Sequence, residues 1–154
     1  MIKLIDVYAT HRPEVARFLY VLLAERLEEP ETNISHTAMP TMEEHRTFIA
    51  SRTYRAWYVI ATPPGELVGA ANLTRLNEVG IVVQRAHRGR GYAKAALRWI
   101  MATHPPLPPI PSKRSHTYIA NVRHDNRASI ALFESLGARI LQHTYTLERE
   151  HDQH

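Results

Sequence analysis

Apolar residues recur along the chain either at helical spacing, every three to four residues, or in the short runs that are typical of strands. Helical spacing covers residues 13–27, 41–51, 92–101 and 126–136. Strand patterns cover residues 2–8, 55–61, 67–74, 78–83, 116–122 and 138–148. The resulting order, βααβββαβαβ, predicts an α/β fold in which helices flank a mixed, mostly antiparallel central sheet.

Local signals mark several of these boundaries. Thr41 and Glu44 have the spacing of a capping box at the start of the second helix, and Gly137 follows the last helix as its C-terminal cap. Residues 104–115 contain too many prolines for a helix or a central strand, so we expect a stiff surface connection there. Too little chain follows for a second domain. Residues 1–154 are therefore interpreted as a single domain with a frayed tail at 149–154.

Composition excludes several kinds of functional site. The chain has 154 residues, a formal net charge of +4 and no cysteine, which excludes disulfides, thiolate nucleophiles and Cys-ligated metals. The histidines do not form a helical i, i+4 ligand pair, so no metal is expected. The chain has no run of eighteen apolar residues and no secretory signal, which indicates a cytoplasmic protein that does not span a membrane. The basic balance suits anionic partners such as phosphates, nucleotides or nucleic acid.

One loop combines glycines with basic residues where a strand gives way to a helix: residues 85–97 are RAHRGRGYAKAAL. Gly89 and Gly91 permit positive φ and close approach of a ligand to the backbone, and the helix start offers unpaired N–H groups to an anion. A P-loop pattern is absent, and the dinucleotide pattern fails because Lys94 stands where it needs a small residue. Residues 88–93 instead fit a third pattern, Gln/Arg-x-x-Gly-x-Gly/Ala.

Together with a later motif, this loop resembles the GNAT superfamily of acetyl-CoA-dependent N-acetyltransferases. Residues 120–139, ANVRHDNRASIALFESLGAR, are similar to the family pattern Asn-x-x-Ser/Ala-x-x-Leu-Phe/Tyr-x-x-x-Gly. The matching positions are Asn126, Ser129, Leu132, Phe133 and Gly137. Residues 78–83 also resemble the fourth strand of the family. The resemblance is strong over residues 77–140 and rests mainly on element order over the first 60 residues.

The resemblance implies a GNAT-like fold whose fourth and fifth strands splay apart, with acetyl-CoA as acetyl donor in the gap. Main-chain groups of Ile81, Val82 and Val83 would bind its pantetheine. Asn126 would hydrogen-bond the cofactor, and Asn121 would lie beside the thioester. The pyrophosphate would lie in the loop of Arg88, Gly89, Arg90, Gly91, Tyr92, Ala93 and Lys94.

The resemblance further implies attack by a neutral amine, which needs a base. Glu78, at the head of the fourth strand, is the first candidate base, and His36 is the second because its pKa range suits neutral pH. Many family members carry a tyrosine, proposed as the general acid, where this chain has Phe133. The acid is therefore unassigned among water, Ser129 and Tyr145. Some relatives also place a glutamate at Asn121, which this chain lacks.

The acceptor is interpreted as a small-molecule primary amine. The polar residues Asn33, Ser35 and His36 suggest a hydroxyl-rich molecule such as an amino-sugar or a nucleotide-linked amine. Tyr58 is a further candidate for its site, although Trp57 faces opposite to Tyr58 on the same strand and one of those faces must be core.

Alternatives stay open at this point. The acceptor is alternatively a peptide N-terminus or an amine-bearing nucleic-acid base. The chain is alternatively a non-catalytic acyl-CoA or nucleotide sensor, or a nucleic-acid-binding module, although it lacks the recognition motifs of the last class. Because the usual seventh strand is not visible after Glu148, a homodimer that completes the sheet is also expected.

Overall fold

A computed structural model describes residues 1–32 and 38–150 of the chain. Its strands and helices are β1 (Lys3–Asp6), α1 (Pro13–Leu27), α2 (Met42–Ala50), β2 (Ala56–Ala61), β3 (Leu67–Leu73), β4 (Val79–Val83), α3 (Tyr92–Thr103) and α4 (Arg127–Ser135). Short 3-10 turns lie at Pro30–Thr32 and Arg85–His87. The predictions for these four helices and four strands are confirmed, each end lying within two residues of its predicted position.

The four strands form one antiparallel sheet in the order β1-β2-β3-β4. Ile5, Val59, Ala70 and Val82 stand opposite one another in successive strands and form one row across the sheet. All four pack on the face that α1 covers. Because the strands follow one another in sequence and in space, short turns connect β2 to β3 and β3 to β4.

Helices cover both faces of this sheet, with α1 and α2 on one side and α3 and α4 on the other. The central strand β2 is therefore buried at all six positions. Trp57 and Val59 pack toward α1, whereas Tyr58 and Ile60 pack toward α3. Burial on both faces explains why β2 is a continuous apolar run in the sequence, since neither face meets water.

The predicted helix boundary signals are confirmed. The Glu44 N–H donates to Thr41 Oγ1 at 3.1 Å, and the Thr41 N–H donates to Glu44 Oε1 at 2.9 Å, which completes the capping box of α2. Gly137 follows α4 with φ +88°, the left-handed conformation that favours glycine after a helix.

Two predicted strands are not formed. Residues 116–122 pair with the sheet at one point, a parallel bridge between Glu78 and Ile119. Residues 138–148 have no regular structure and are exposed throughout. An alternating pattern indicates only that a segment suits a strand; whether the segment pairs depends on how the assembled fold brings it against a strand edge. Since residues 1–32 and 38–150 form no fifth strand, the splaying of a fourth and a fifth strand stays a prediction.

The proline-rich connection, residues 104–115, is irregular as predicted and is fastened by Asn77. The Asn77 side chain is completely buried. Its Nδ2 donates to the carbonyls of Leu107 and Ser115 at 3.0 and 2.9 Å, and its Oδ1 accepts from the Leu107 N–H at 2.8 Å. Asn77 has φ +62°, which asparagine tolerates better than most residues. It therefore fixes where the chain returns to β4 at Ile119.

Within residues 1–32 and 38–150, no helix is both long and apolar enough to cross a membrane. The predicted frayed tail at 149–154 falls outside the described residues from position 151 onward.

Candidate active site

A cleft of about 510 Å³ lies between α1, α2 and the sheet and continues past the outer edge of β4 to α4. The sequence-predicted residues that line it are Glu78, Ile81, Val82, Asn121, Asn126, Ser129 and Phe133. These residues come from the hairpin before β4, from β4 itself, from the segment after Ile119 and from α4. The fold thus brings together two motifs that are separated by about forty residues in sequence.

The backbone of β4 is free along part of its outer edge. The Val79 N–H points outward and donates to the Ile119 carbonyl at 2.8 Å. Hydrogen-bonding direction alternates along an antiparallel strand, so the N–H groups of Ile81 and Val83 point outward as well. By the same alternation the Val82 N–H points inward to β3, as the Gln84 N–H does, which donates to the Val68 carbonyl at 2.8 Å. The prediction that all three residues present their main chain to a ligand is therefore corrected to Ile81 and Val83.

The glycine-containing loop lies at the end of this edge, between β4 and α3. Gly89 and Gly91 have φ +78° and +81°, and a Cβ placed at either would meet no atom within 4 Å. Gly91 is the N-cap of α3 and supplies no side chain to its first-turn N–H groups. Tyr92 packs its ring against the core, which leaves its backbone at the helix start. The loop is thus an open cradle of N–H groups that suits an anion.

Arg88 is engaged with α1. Its Nη1 and Nη2 donate to the two carboxylate oxygens of Glu29, each at 2.9 Å, and its Nε donates to the Val83 carbonyl at 3.0 Å. The ion pair raises the pKa of Arg88 and lowers the pKa of Glu29. The guanidinium predicted to approach a pyrophosphate therefore fastens the loop to the end of α1. Arg90 stays exposed beside the cradle, and Lys94 is half-exposed on the first turn of α3.

Glu78 and Asn121, predicted for separate roles, are in direct contact. Asn121 Nδ2 donates to Glu78 Oε2 at 2.6 Å, and Thr74 Oγ1 donates to Glu78 Oε1 at 3.0 Å. The hairpin between β3 and β4 and the bridge at Ile119 place these groups at the mouth of the gap beside β4. Both oxygens of the carboxylate are thereby held in place, and Glu78 lines the cleft as a group that can accept a proton.

The start of α4 forms the opposite wall. Asn126 Oδ1 accepts the Ser129 N–H at 3.1 Å and is the N-cap of the helix. This leaves the Nδ2 group of Asn126 as its donor toward the cleft. Ser129 and Phe133 also line the cleft, whereas Tyr145 is 80% exposed and does not. Of the two candidate acid side chains, the geometry therefore favours Ser129.

The acceptor side of the cleft differs from the prediction. Tyr58 lies on the α3 face of the sheet, where its hydroxyl is 2.7 Å from His104 Nε2, so we do not assign it to the acceptor site. Trp57, Tyr54 and Phe48 line the cleft instead and contact one another edge to face. Sequence alternation placed Trp57 and Tyr58 on opposite faces but could not say which face was open. Asn33, Ser35 and His36 lie outside the described residues.

Sequence reasoning also missed His45 as a cleft residue. It is buried in α2, its Nε2 lies 3.1 Å from the Ala16 carbonyl, and its ring packs against Tyr20. Burial lowers the pKa of His45, which favours the neutral imidazole. The one sequence feature that could have indicated this burial is the position of His45 within the helical pattern of α2, on the side that faces α1. In the part of the chain that the structure describes, no group of three His, Cys, Asp or Glu side chains could hold a metal ion.

Comparisons with known proteins agree with this arrangement. The family model of the acetyltransferase (GNAT) domain matches residues 4–139. No curated protein sequence matches the chain. Ribosomal-protein-alanine N-acetyltransferase from Brucella melitensis is 19% identical with a TM-score of 0.66, over 89% of this chain and 83% of that one.

Two further solved structures share the fold. Spermidine N-acetyltransferase from Vibrio cholerae, in complex with CoA and spermine, is 18% identical with a TM-score of 0.64, over 88% of this chain and 79% of that one. The yncA protein from Salmonella typhimurium, with its cofactor acetyl-CoA, is 17% identical with a TM-score of 0.64, over 89% of this chain and 78% of that one. At these identities the likeness concerns the fold.

Proposed function

The chain belongs to the acetyltransferase (GNAT) family, and on that premise we propose that it transfers an acetyl group from acetyl-CoA to a primary amine of a small molecule. Transfer is by direct attack in a ternary complex. The observation that carries the proposal is the free outer edge of β4, which ends at the open glycine cradle before α3. An extended amide chain that ends in a pyrophosphate matches an unpaired strand edge followed by an anion site.

The described residues fit such a donor. The outward N–H groups of Ile81 and Val83 can pair with the amides of the pantetheine arm, as a neighbouring strand would. The N–H groups around Gly89 and Gly91 can receive phosphate oxygens, and Arg90 and Lys94 add positive charge nearby. Arg88 keeps this loop in position through Glu29. The Nδ2 group of Asn126 is a further donor from α4.

Acetyl transfer forms a bond between the amine nitrogen and the acetyl carbon and breaks the carbon–sulfur bond, with a thiolate as leaving group. Glu78 accepts the proton that the amine loses, directly or through one water, while Asn121 and Thr74 hold its carboxylate. A free outward N–H of β4 donates to the oxyanion that develops on the acetyl oxygen. Because a thiol has a pKa near 8.5, the thiolate can leave without an acid, and Ser129 is the nearest candidate to assist it.

The acceptor is proposed as a small molecule bound between α1, α2 and the aromatic side chains of Phe48, Tyr54 and Trp57. An amino-sugar or a nucleotide-linked amine stays a proposal from the sequence. A peptide N-terminus is the alternative, and ribosomal-protein-alanine N-acetyltransferases are among the structures that share the fold.

One experiment tests the activity itself. The protein is incubated with acetyl-CoA and a panel of amines, and CoA thiol release is followed with a thiol reagent, which reports cleanly because the chain has no cysteine. Release that requires both acetyl-CoA and an amine is the expected result. Binding of acetyl-CoA without release for any amine would favour a second candidate, a non-catalytic acyl-CoA sensor, for which Phe133 in place of the usual tyrosine is the supporting observation.

A homodimer is also proposed, with a second copy of the chain as the partner of residues 138–148. This segment alternates in polarity, and Ile140, Leu141, Tyr145 and Leu147 are 70 to 90% exposed in the monomer. Four large apolar side chains exposed within one segment suit burial against a partner chain.

A further inference from the structure

Arg26, on the last turns of α1, lines the acceptor side of the cleft without a carboxylate partner among the described residues. Its Nη2 donates to the Thr32 carbonyl at 3.1 Å, which uses one of the five N–H donors of a guanidinium. Arg88 and Arg123, by contrast, each hold a carboxylate with two hydrogen bonds at 2.9 to 3.0 Å. Residues 33–37, which follow Thr32 in the sequence, are NISHT and include no acidic residue.

The guanidinium of Arg26 is also withdrawn from water. It lies partly buried beside Tyr54, and this burial lowers the pKa of Arg26, the direction expected when desolvation is not offset by a nearby negative charge. An arginine stays charged at any pH of interest. A desolvated charge is costly unless an opposite charge accompanies it, so a ligand anion at this position would remove a cost that the free protein carries.

Most of the other charged side chains of the cleft are carboxylates, and Arg123, which also lines it, is paired with Asp125. Glu78 lies at the head of β4 with its oxygens held by Asn121 and Thr74. Glu44 is at the exposed mouth, where it belongs to the capping box of α2, and Glu31 also lines the cleft. A cleft that presents both a partly buried cation and carboxylates fits an acceptor that carries both charges better than a polycation.

We propose that the acceptor is an amino acid, or another amine that carries a carboxylate, and that Arg26 binds this carboxylate while the amine faces Glu78. A planar guanidinium and a carboxylate can pair through two parallel hydrogen bonds. The aromatic side chains of Phe48, Tyr54 and Trp57 would contact the apolar body of the acceptor. This inference rests on the proposed acetyltransferase activity and narrows its substrate class.

Matched acceptors test the proposal. CoA thiol release is measured for phenylalanine, leucine and β-alanine, for the carboxamide of each, and for spermidine as a polycation. The ratio of kcat/KM between each acid and its amide is then compared between the wild-type protein and Arg26→Gln. This comparison cancels the different basicity of the two amines. Arg26→Lys keeps the positive charge but lacks the planar guanidinium that can make two parallel hydrogen bonds. Arg17→Gln is the control, because it removes an exposed arginine from the same helix.

The proposal predicts that Arg26→Gln lowers the ratio about 10- to 100-fold, the range of a charge-assisted pair. The acid-to-amide ratio of Arg26→Lys should lie between those of the wild type and Arg26→Gln, and Arg17→Gln should leave the ratio unchanged. An unchanged ratio in a folded Arg26→Gln protein overturns the proposal. So does preference of the wild-type protein for spermidine, or acetyl-CoA binding without release for any acid in the panel. Failure to bind acetyl-CoA overturns the proposed activity itself, which separates the two failures.

Discussion

The free edge of β4 leads to a sharp prediction for Ile81. By the alternation of the strand its N–H points outward beside the cleft, whereas the N–H of Val82 points inward to β3, where Ala70 lies opposite. Ile81→Pro removes that donor, and proline is tolerated on an edge strand where its nitrogen faces outward. Ile81→Ala keeps the donor and removes most of the side chain, so it is the matched control for lost packing against the core.

The expected effect follows from one neutral hydrogen bond, which contributes about 0.5–1.5 kcal/mol net. Relative to Ile81→Ala, Ile81→Pro should therefore weaken acetyl-CoA binding about 2- to 13-fold, as measured by calorimetric titration. Val82→Pro should instead destabilise the fold, because it removes a hydrogen bond of the sheet. Equal dissociation constants for Ile81→Pro and Ile81→Ala, with both proteins shown to be folded by thermal denaturation, would refute the assignment of this edge.

Further predictions concern the glycine cradle, the candidate base Glu78, the contacts of Asn77 and the proposed dimer. Gly91→Glu should abolish acetyl-CoA binding by filling and charging the cradle, whereas Gly65→Glu, at a similar positive φ in an open turn, should not. Glu78→Gln should lower kcat far more than acetyl-CoA affinity, and a Glu78→Gln protein whose kcat equals that of the wild type across roughly pH 6 to 9 would remove Glu78 as base. Asn77→Ala should lower the free energy of unfolding in urea by about 2–4 kcal/mol, because it leaves three partly buried backbone groups without their hydrogen-bond partner; a loss under about 1 kcal/mol would contradict the role of Asn77 in fastening the proline-rich connection. Leu147→Glu should convert a dimer to a monomer in light scattering, and a monomeric wild-type protein would dismiss the interface.

Sequence periodicity predicted the elements whose signals are local. The capping box at Thr41 and the helical spacing of 13–27 depend on residues within one helix, so no knowledge of distant contacts was needed. Residues 116–122 and 138–148 carry a strand pattern that is equally clear, yet neither forms a strand. Whether they pair depends on how the surrounding chain brings each segment against a strand edge, and that is a property of the assembled fold.

In the site, too, features set by local sequence could be predicted, whereas features set by distant contacts could not. The positive φ of Gly89 and Gly91 followed from their place before a helix. The pairing of Arg88 with Glu29 could not be predicted, because the two residues are 59 positions apart and the segment after α1 must first pack near the glycine loop. The alternation along β2 likewise placed Trp57 opposite Tyr58, but only the packing of α3 decides that Tyr58 is core.

The central claim is that the edge of β4 and the cradle after it bind acetyl-CoA. Calorimetric titration of the purified protein with acetyl-CoA, with NAD as the control ligand, tests it most directly. Saturable binding of acetyl-CoA and none of NAD is the predicted result. A folded protein that binds neither ligand, or binds both equally, would contradict the claim and would leave the glycine loop to a different phosphate.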